Sequence, residues 1–390
     1  MMKIPMSSPD INDDDRKAVM DVINTPVLSL GPKVIEFEKA VASYVGIRHA
    51  IAVNSGTAGL HIAARAVGLQ PGDRVITTPF SFVASTNALL FENIVPVFVD
   101  IDPVTGNIDP NLVSQAMDDL QGSATASAKW LPRVNAGQGQ VKAILPVDVF
   151  GQPADYTPIL SIAEKHHAIV IEDSCEALGA EYKGKKAGLF GDCGVFAFYP
   201  NKQITTGEGG IVVTNDDKAA DYMRALRNQG RAPGDTWLSH TYLGYNYRLD
   251  ELSAALGCSQ ISRVDSLIAQ RQKVADWYLE HLIGCPTIEL PTISGSTTRM
   301  SWFVFVIRLS PKTNRQALAE RLEKRGVPIR PYFLPIHLQP YMVEKFGYRK
   351  GDFPVTEDLG DRGVALPFSG VMTEEQVRYV CTTLKEELGS

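Results

Sequence analysis

The sequence predicts an α/β protein that contains a mostly parallel, doubly wound, seven-stranded sheet and a smaller C-terminal α/β domain. Between residues 49 and 215, short apolar runs rich in β-branched residues alternate with helical patterns, which is typical of parallel sheets with crossover helices. Most of these runs are continuously hydrophobic, as expected for strands covered on both faces. A chain of 390 residues is also long enough for more than one domain.

Seven strands are predicted in chain order: HAIAV (49–53), RVITT (74–78), VPVFV (95–99), KAILPV (142–147), HAIVIE (167–172), GVFAFY (194–199) and GGIVVT (209–214). Helical patterns lie between several of them, for example at 57–68 and 155–166. The stretch 121–140 has no periodicity and predicts a surface excursion. Because ligands of such sheets bind outside the carboxyl ends of the strands, the residues that follow each strand are the first candidates for function.

The remainder of the chain predicts a second unit. A helical pattern from Asp250 to about Leu282 precedes a strand at 301–309, a helix at 314–325 and a last helix at 373–387. We therefore expect three parts: an N-terminal arm and helix (1–30), a large domain (31–250) and a small C-terminal domain (251–390).

Composition excludes several classes of protein. The net charge of −6 argues against a nucleic-acid binder, which needs a basic face. Five cysteines without a C-x-x-C spacing predict neither a disulfide framework nor a metal site, and they favour a reducing compartment. The sequence has no apolar run of transmembrane length and no signal-peptide pattern at its N-terminus. We therefore expect a cytoplasmic protein with no membrane partner.

Two titratable residues follow predicted strands. Lys202 comes after the strand 194–199, where a lysine in an apolar setting can act as a nucleophile toward carbonyls. Asp173 comes after HAIVIE and is a candidate partner for a protonated ring nitrogen, as in pyridoxal phosphate enzymes. Taken singly, each has a simpler interpretation, a solvated loop lysine and a helix cap.

Two further segments complement this pair. The segment NSGTAGL, 54–60, follows the first strand and opens a helix, so the small residues Gly56, Thr57 and Ala58 could let backbone N–H groups bind an anion. Phe82 follows the second strand and could stack on a flat cofactor, although a core phenylalanine would fit the same pattern. An anion cradle, a stacking face, an acid and a lysine in this order favour a pyridoxal phosphate site.

The sequence resembles the DegT/DnrJ/EryC1/StrS family, the nucleotide-sugar aminotransferases of fold type I, over nearly its whole length. The matching blocks are LGPKVIEFEKAVASYVG (30–46), NSGTAGLHIA (54–63), GDRVITTPFSFVAS (72–85), PVFVDIDPVTGNIDP (96–110), VFGQPAD (149–155), IEDSCEALGA (171–180), NKQITTGEGG (201–210), GYNYRLDEL (244–252), GVPIRPYF (326–333) and ALPF (365–368). This resemblance implies pyridoxal 5′-phosphate as cofactor and an amino transfer to a sugar.

The resemblance also implies roles for individual residues. Lys202 would bind the cofactor covalently, Asp173 would pair with its ring nitrogen, and Phe82 would lie against its ring. The cofactor contacts would further include Gly56, Thr57, Ala58, Glu176 near the ring, and Asn246, which would reach the phosphate of a neighbouring subunit in a homodimer with shared active sites. His337 and Arg248 are candidate substrate contacts.

Two positions depart from the family pattern. Ala197 stands where many members have a serine that binds the phosphate, so other groups would have to hold the phosphate. Asp148 replaces a histidine or another polar residue and could alter contacts on the sugar side.

The expected reaction is the transfer of an amino group from L-glutamate to a nucleotide-linked keto sugar, with a 4-keto-6-deoxyhexose favoured. A 3-keto sugar, or a non-nucleotide ketone such as a cyclitol, remains as an alternative acceptor. A dehydratase of the same family would have histidine in place of Lys202, so the lysine argues against it. A non-catalytic sensor or binding protein is the alternative from a different class.

Overall fold

The computed structural model describes residues 2–389. Its helices are α1 (Asp13–Ile23), α2 (Pro32–Val45), α3 (Gly56–Ala66), α4 (Ala84–Leu90), α5 (Pro110–Gln121), α6 (Ala124–Ser127), α7 (Tyr156–His166), α8 (Asp217–Arg227), α9 (Glu251–Ser262), α10 (Val264–Leu282), α11 (Arg315–Lys324), α12 (Pro340–Phe346), α13 (Pro354–Arg362) and α14 (Glu374–Leu388). Its strands are β1 (His49–Val53), β2 (Arg74–Thr77), β3 (Val95–Phe98), β4 (Val141–Leu145), β5 (Ile169–Asp173), β6 (Glu181–Tyr182), β7 (Lys185–Lys186), β8 (Cys193–Ala197), β9 (Gly210–Thr214), β10 (Ile288–Glu289), β11 (Thr297–Arg299), β12 (Phe305–Leu309), β13 (Arg330–Pro331) and β14 (Gly363–Leu366).

The large sheet has seven strands in the order β1-β9-β8-β5-β4-β2-β3, which are the seven predicted strands. The pairs among β8, β5, β4, β2 and β3 are parallel, whereas β9 is antiparallel to both β1 and β8. The predicted mostly parallel sheet is therefore confirmed.

Both faces of the large sheet are covered by helices. In β1, Ile51 and Val53 pack in one apolar cluster with α3, while the intervening Ala52 packs in another with α2. This division follows from the alternation of side chains along a strand. It explains why the strands are continuously apolar in sequence, because each face of the sheet has its own helical layer.

A second, smaller sheet has the order β10-β12-β14-β13 and is antiparallel. Two sequence predictions in this part need correction. The long helical pattern from Asp250 to Leu282 is two helices, which are separated at Arg263, where φ is −120° and ψ is 17°. The strand predicted at 301–309 begins only at Phe305, because Trp302 adopts a left-handed φ of 49°.

The domain limits 1–30, 31–250 and 251–390 stay predictions. The packing of the helices favours a later start for the small unit, because Ala254 of α9 and Ile268 of α10 share an apolar cluster with the large sheet. Only further along α10, at Val274 and Tyr278, do the side chains pack with the small sheet.

The stretch 121–140 lies on the surface, as predicted, and contains the short helix α6. Arg133 forms an ion pair of 2.6 Å with Asp352, and the side chain of Asn135 donates a hydrogen bond to the carbonyl of Lys345. These contacts fasten the stretch to the region around α12. Among residues 2–389, no helix has both the length and the apolar character needed to cross a membrane.

Candidate active site

The connections that follow β1, β2, β5 and β8 meet at a cavity of about 530 Å³. Six of the predicted site residues line it: Gly56, Thr57, Phe82, Asp173, Glu176 and Lys202. The convergence follows from the topology, because parallel strands end at the same edge of the sheet. In particular, β5 and β8 are paired neighbours, which brings Asp173 and Lys202 to one cavity.

Lys202 lies on the connection between β8 and β9, an antiparallel pair in which Ala197 is opposite Gly210. Its Nζ atom is 3.7 Å from Oε1 of Glu176 and 3.7 Å from the ring centroid of Phe303. The amine therefore lies between a carboxyl group and an aromatic face, and these two contacts define its position in the cavity.

Asp173 ends β5 and is buried. Its Oδ2 atom accepts a hydrogen bond of 2.5 Å from the hydroxyl of Ser85, and its Oδ1 atom accepts one of 3.2 Å from the backbone N–H of Cys175. These two donors fix the orientation of the carboxyl group. A carboxylate oriented at a cavity wall is suited to bind a cationic ring N–H group.

Glu176 is also buried against the cavity. Its Oε2 atom accepts a hydrogen bond of 2.8 Å from the backbone N–H of Phe150. Burial raises the pKa of Glu176 to about 7, and the nearby ammonium of Lys202 opposes part of this rise. The carboxyl group of Glu176 therefore titrates close to neutral pH.

The N-terminus of α3 forms one end of the cavity. Ser55 caps this helix by accepting a hydrogen bond of 3.1 Å from the N–H of Ala58, so the phosphate contact predicted for Ala58 stays a prediction. Gly56 lies against β8, since a Cβ atom there would come within 2.8 Å of the Ala197 side chain. Gly56 and Thr57, the first two residues of α3, thus line the cavity, and the start of a helix is a place that favours anions.

The residues that line the cavity fit pyridoxal phosphate. The start of α3 provides donors for a phosphate, Asp173 is an oriented acid for a ring nitrogen, and Lys202 provides the amine. The ring of Phe82 is 62% exposed and free to stack on a flat group.

Four other residues named from the sequence lie elsewhere. The side chain of His337 is fully buried, 2.9 Å from Glu357, and does not line the cavity, so its contact with substrate stays a prediction. Asp148 does not face the sugar side either, because it is buried and accepts hydrogen bonds from Tyr156 and Ser174.

Asn246 is exposed and does not line the cavity of its own chain. Arg248 donates a hydrogen bond of 3.1 Å to the side chain of Asn228 and does not line the cavity either. The roles of Asn246 and Arg248 in cofactor and substrate binding therefore stay predictions.

The sequence analysis missed Ser85 and Arg271. Ser85 lies in the same block as Phe82, only one turn further along the chain. Arg271 is buried in α10 on the same side as Leu267 and Val274. A lone arginine at helical spacing within an apolar face was the available signal, because charged residues are seldom fully buried without a partner.

Comparison with known proteins agrees with this fold. The sequence model of the DegT/DnrJ/EryC1/StrS aminotransferase family matches residues 9–385. The GDP-perosamine synthase of Caulobacter vibrioides is 36% identical over 389 residues, which are 99% of this chain and 98% of that protein. The UDP-N-acetyl-3-dehydro-alpha-D-glucosamine 3-aminotransferase of Acidithiobacillus ferrooxidans is 31% identical over 97% of this chain and 95% of that protein.

Among solved structures, PseC of Helicobacter pylori, an aminotransferase involved in the biosynthesis of pseudoaminic acid, superposes with a TM-score of 0.88 at 29% identity, over 100% of both chains. The fold and the site thus define a pyridoxal phosphate-dependent aminotransferase of fold type I. More narrowly, the chain belongs to the DegT/DnrJ/EryC1/StrS aminotransferase family.

The raised pKa of Glu176 predicts a pH-dependent stability of the cofactor-free protein. The pKa is about 7 in the fold and 4.5 ordinarily, so between these pH values the folded chain binds more protons than the unfolded chain. The free energy of unfolding should therefore fall as pH rises through this window, by at most about 1.4 kcal/mol per pH unit. The variant Glu176→Gln should show a smaller fall, because burial also raises the pKa of Asp148 to about 6 and of Glu172 to about 8, and these two groups remain. Urea unfolding from pH 4.5 to pH 8 measures the difference, and parallel curves for the two proteins would contradict it.

Ala197 offers a second prediction. The variant Ala197→Ser restores a hydroxyl at the cavity wall, where many family members bind the phosphate, and Ala197 lines the cavity. One added hydrogen bond should tighten cofactor binding by about 3- to 10-fold. Ala197→Val is the matched control, because it adds bulk without a donor. Equilibrium dialysis of pyridoxal phosphate measures both, and an unchanged or weaker affinity of the serine variant would refute the expectation.

Proposed function

We propose that this aminotransferase moves an amino group from L-glutamate to a nucleotide-linked keto sugar, preferentially a 4-keto-6-deoxyhexose. The observation that carries the proposal is the placement of the Lys202 amine, 3.7 Å from Glu176, in a cavity whose wall also holds Asp173. The similarity to a GDP-perosamine synthase over the whole chain supports the sugar as acceptor. The glutamate at position 176 resembles that of perosamine-type 4-aminotransferases.

In this proposal, Lys202 both binds the cofactor and moves a proton. When bound, pyridoxal phosphate supplies an electron-accepting ring and a carbonyl that reacts with amines. When it is free of the cofactor, the Nζ atom of Lys202 would take the proton from the α-carbon of the amino donor and pass it on, and with the keto sugar it would carry a proton in the reverse direction. Such proton transfer by a positioned amine is general acid–base catalysis.

Asp173 holds the proton on the ring nitrogen. A carboxylate has about four acceptor positions, and Ser85 and the N–H of Cys175 each donate to it only once, so acceptor capacity remains for a ring N–H. A negative charge at this place stabilises the positive ring nitrogen and thereby the electron-accepting state of the ring.

The proposal includes a homodimer with shared active sites. Asn246 is exposed outside its own cavity, which suits a contact with the phosphate in a neighbouring subunit. Nearby on the same surface segment, Trp237, Leu238 and Leu243 are exposed by 75%, 84% and 82%. Large apolar side chains exposed together favour a protein contact, and a second copy of the chain is the proposed partner.

The test is a two-step absorbance experiment on the purified enzyme loaded with pyridoxal phosphate. L-Glutamate should remove the visible band of the lysine-bound cofactor, and one keto sugar should then restore it; D-glutamate is the matched control. The panel of acceptors contains nucleotide-linked 4-keto and 3-keto sugars with GDP, UDP and dTDP, and a cyclitol ketone. A response to L-glutamate without restoration by any nucleotide sugar would overturn the proposed acceptor.

A 3-keto nucleotide sugar is the second candidate, and the similarity to a 3-aminotransferase favours it. Faster restoration of the band by a UDP-linked 3-keto sugar than by the 4-keto sugars would select this candidate. If the visible band of the lysine-bound cofactor does not appear after the addition of pyridoxal phosphate, the result would instead favour the non-catalytic sensor or binding protein.

A further inference from the structure

Arg271 of α10 is 4% exposed, and its guanidinium group is bonded entirely to backbone carbonyls. It donates to the carbonyls of Asn201 at 2.9 Å and of Lys202, and to those of Trp302 at 3.1 Å and Phe303 at 3.3 Å. Among residues 2–389, no carboxylate offsets the burial of this group. The arginine therefore joins the connection that carries Lys202 to the segment that precedes the small sheet.

A buried cation without an anionic partner is costly, because removal of the charge from water is only partly offset by carbonyl dipoles. Burial lowers the pKa of Arg271 to about 10, so the group still carries its charge at neutral pH. Lysine could provide charge at this place, but only the planar fork of arginine reaches several carbonyls in fixed directions. The arrangement thus depends on the geometry of the guanidinium group.

The contacts of Arg271 are part of a closed ring of interactions around the lysine amine. Glu176 accepts the N–H of Phe150 at 2.8 Å, and the carbonyl of Phe150 accepts the N–H of Phe303 at 3.1 Å. The carbonyl of Phe303 accepts from Arg271, which also holds the carbonyl of Lys202. The Nζ atom of Lys202 closes the ring at 3.7 Å from Glu176.

Two members of this neighbourhood have strained backbone. Phe150 has a φ of 61° and Trp302 a φ of 49°, in the left-handed region that residues with a Cβ atom seldom adopt. The indole N–H of Trp302 donates to the side chain of Gln272 at 2.7 Å, next to Arg271 on α10. Strained backbone conformations persist only where surrounding contacts hold them in place, and they are frequent at functional sites.

We propose that Arg271 is a positioning residue for Lys202. By clamping the carbonyls of Lys202 and Phe303 to one rigid group, it holds the lysine amine against the Phe303 ring and at a fixed distance from Glu176. The inference rests on the catalytic role proposed above for Lys202. It adds that this role depends on a side chain of α10 that does not line the cavity.

The test compares Arg271→Lys with Arg315→Lys. Arg315 is a matched control, because it also donates to two backbone carbonyls, those of Gly360 and Gly363, but it lies away from the cavity. Arg271→Lys keeps the positive charge but loses the planar guanidinium group with its several N–H donors. We expect its kcat to fall about 10²-fold, with a change of less than about threefold in the KM for the keto sugar, whereas Arg315→Lys should keep its kcat.

Rescue provides a second readout that loss of stability alone would not produce. In Arg271→Ala, added guanidinium ion at millimolar concentration should raise the rate at least about tenfold, since the ion can occupy the place of the deleted group. The same addition should not raise the rate of Arg315→Ala or Lys202→Ala. A lower thermal midpoint with unchanged kcat in Arg271→Lys, or the absence of rescue, overturns the inference. Turnover in Lys202→Ala would instead overturn the role proposed for the lysine itself.

Discussion

Lys202→Ala should lower the turnover of amino transfer by about 10³-fold or more, because the variant loses both the covalent link to the cofactor and the base that moves the proton. The Nζ atom of Lys202 is the amine that lies 3.7 Å from Glu176 in the cavity. No other lysine is among the residues that line the cavity, so no other side chain there provides a primary amine. The measurement is the steady-state rate of transfer from L-glutamate to the keto sugar that restores the absorption band.

The control is Lys218→Ala, which removes an exposed lysine from the first turn of α8 and should keep the wild-type rate. Lys202→Ala should still fold and bind pyridoxal phosphate without a covalent link, since the phosphate site proposed at the start of α3 is unchanged. Turnover of this variant near the wild-type rate would remove Lys202 from the mechanism.

Asp173→Asn should lower kcat by about 10²- to 10³-fold, the size expected when one preorganised electrostatic contact to a developing charge is removed. The amide has nearly the same shape, and its oxygen can still accept the hydrogen bond from Ser85. It carries no charge, however, and so it no longer favours a protonated ring nitrogen. The expected result is a slow enzyme that retains its fold and its cofactor.

Asp192→Asn is the matched control, because Asp192 also accepts a backbone N–H, that of Val170 at 2.9 Å, but is exposed at the other end of the sheet. Its kcat should be unchanged. Stopped-flow absorbance with L-glutamate isolates the first half-reaction, where the defect of Asp173→Asn should appear. Equal rates for the two variants would exclude a charge-based role for Asp173.

The strands of the large sheet could be predicted from sequence because each is a continuous apolar run, and this pattern survives burial on both faces. That Asp173 and Lys202 lie at the same edge of the sheet could be predicted, because ligands of such sheets bind at the carboxyl ends of the strands. The actual distances required the strand order, since β5 and β8 had to be neighbours.

Other features depend on contacts that no local pattern contains. The long helical pattern is interrupted at Arg263, where the sequence has neither glycine nor proline as a signal. The interruption coincides with ion pairs from Arg263 to Asp10 and Asp15. His337 and Arg271 are both polar residues in apolar surroundings. Only the folded chain shows that His337 binds Glu357 and does not line the cavity, and that Arg271 donates to the carbonyl of Lys202.

The position of Lys202 on the connection between β8 and β9 has a consequence for how this chain can change in evolution. Both ends of the connection are fixed by the antiparallel ladder in which Ala197 faces Gly210. An inserted or deleted residue would displace the following backbone by about 3.3 Å, the rise of one residue along a strand, whereas a catalytic group tolerates a displacement of about 0.5 Å. The length of this connection should therefore be nearly invariant among active relatives, whereas the surface stretch 121–140, which does not line the cavity, should tolerate changes in length better.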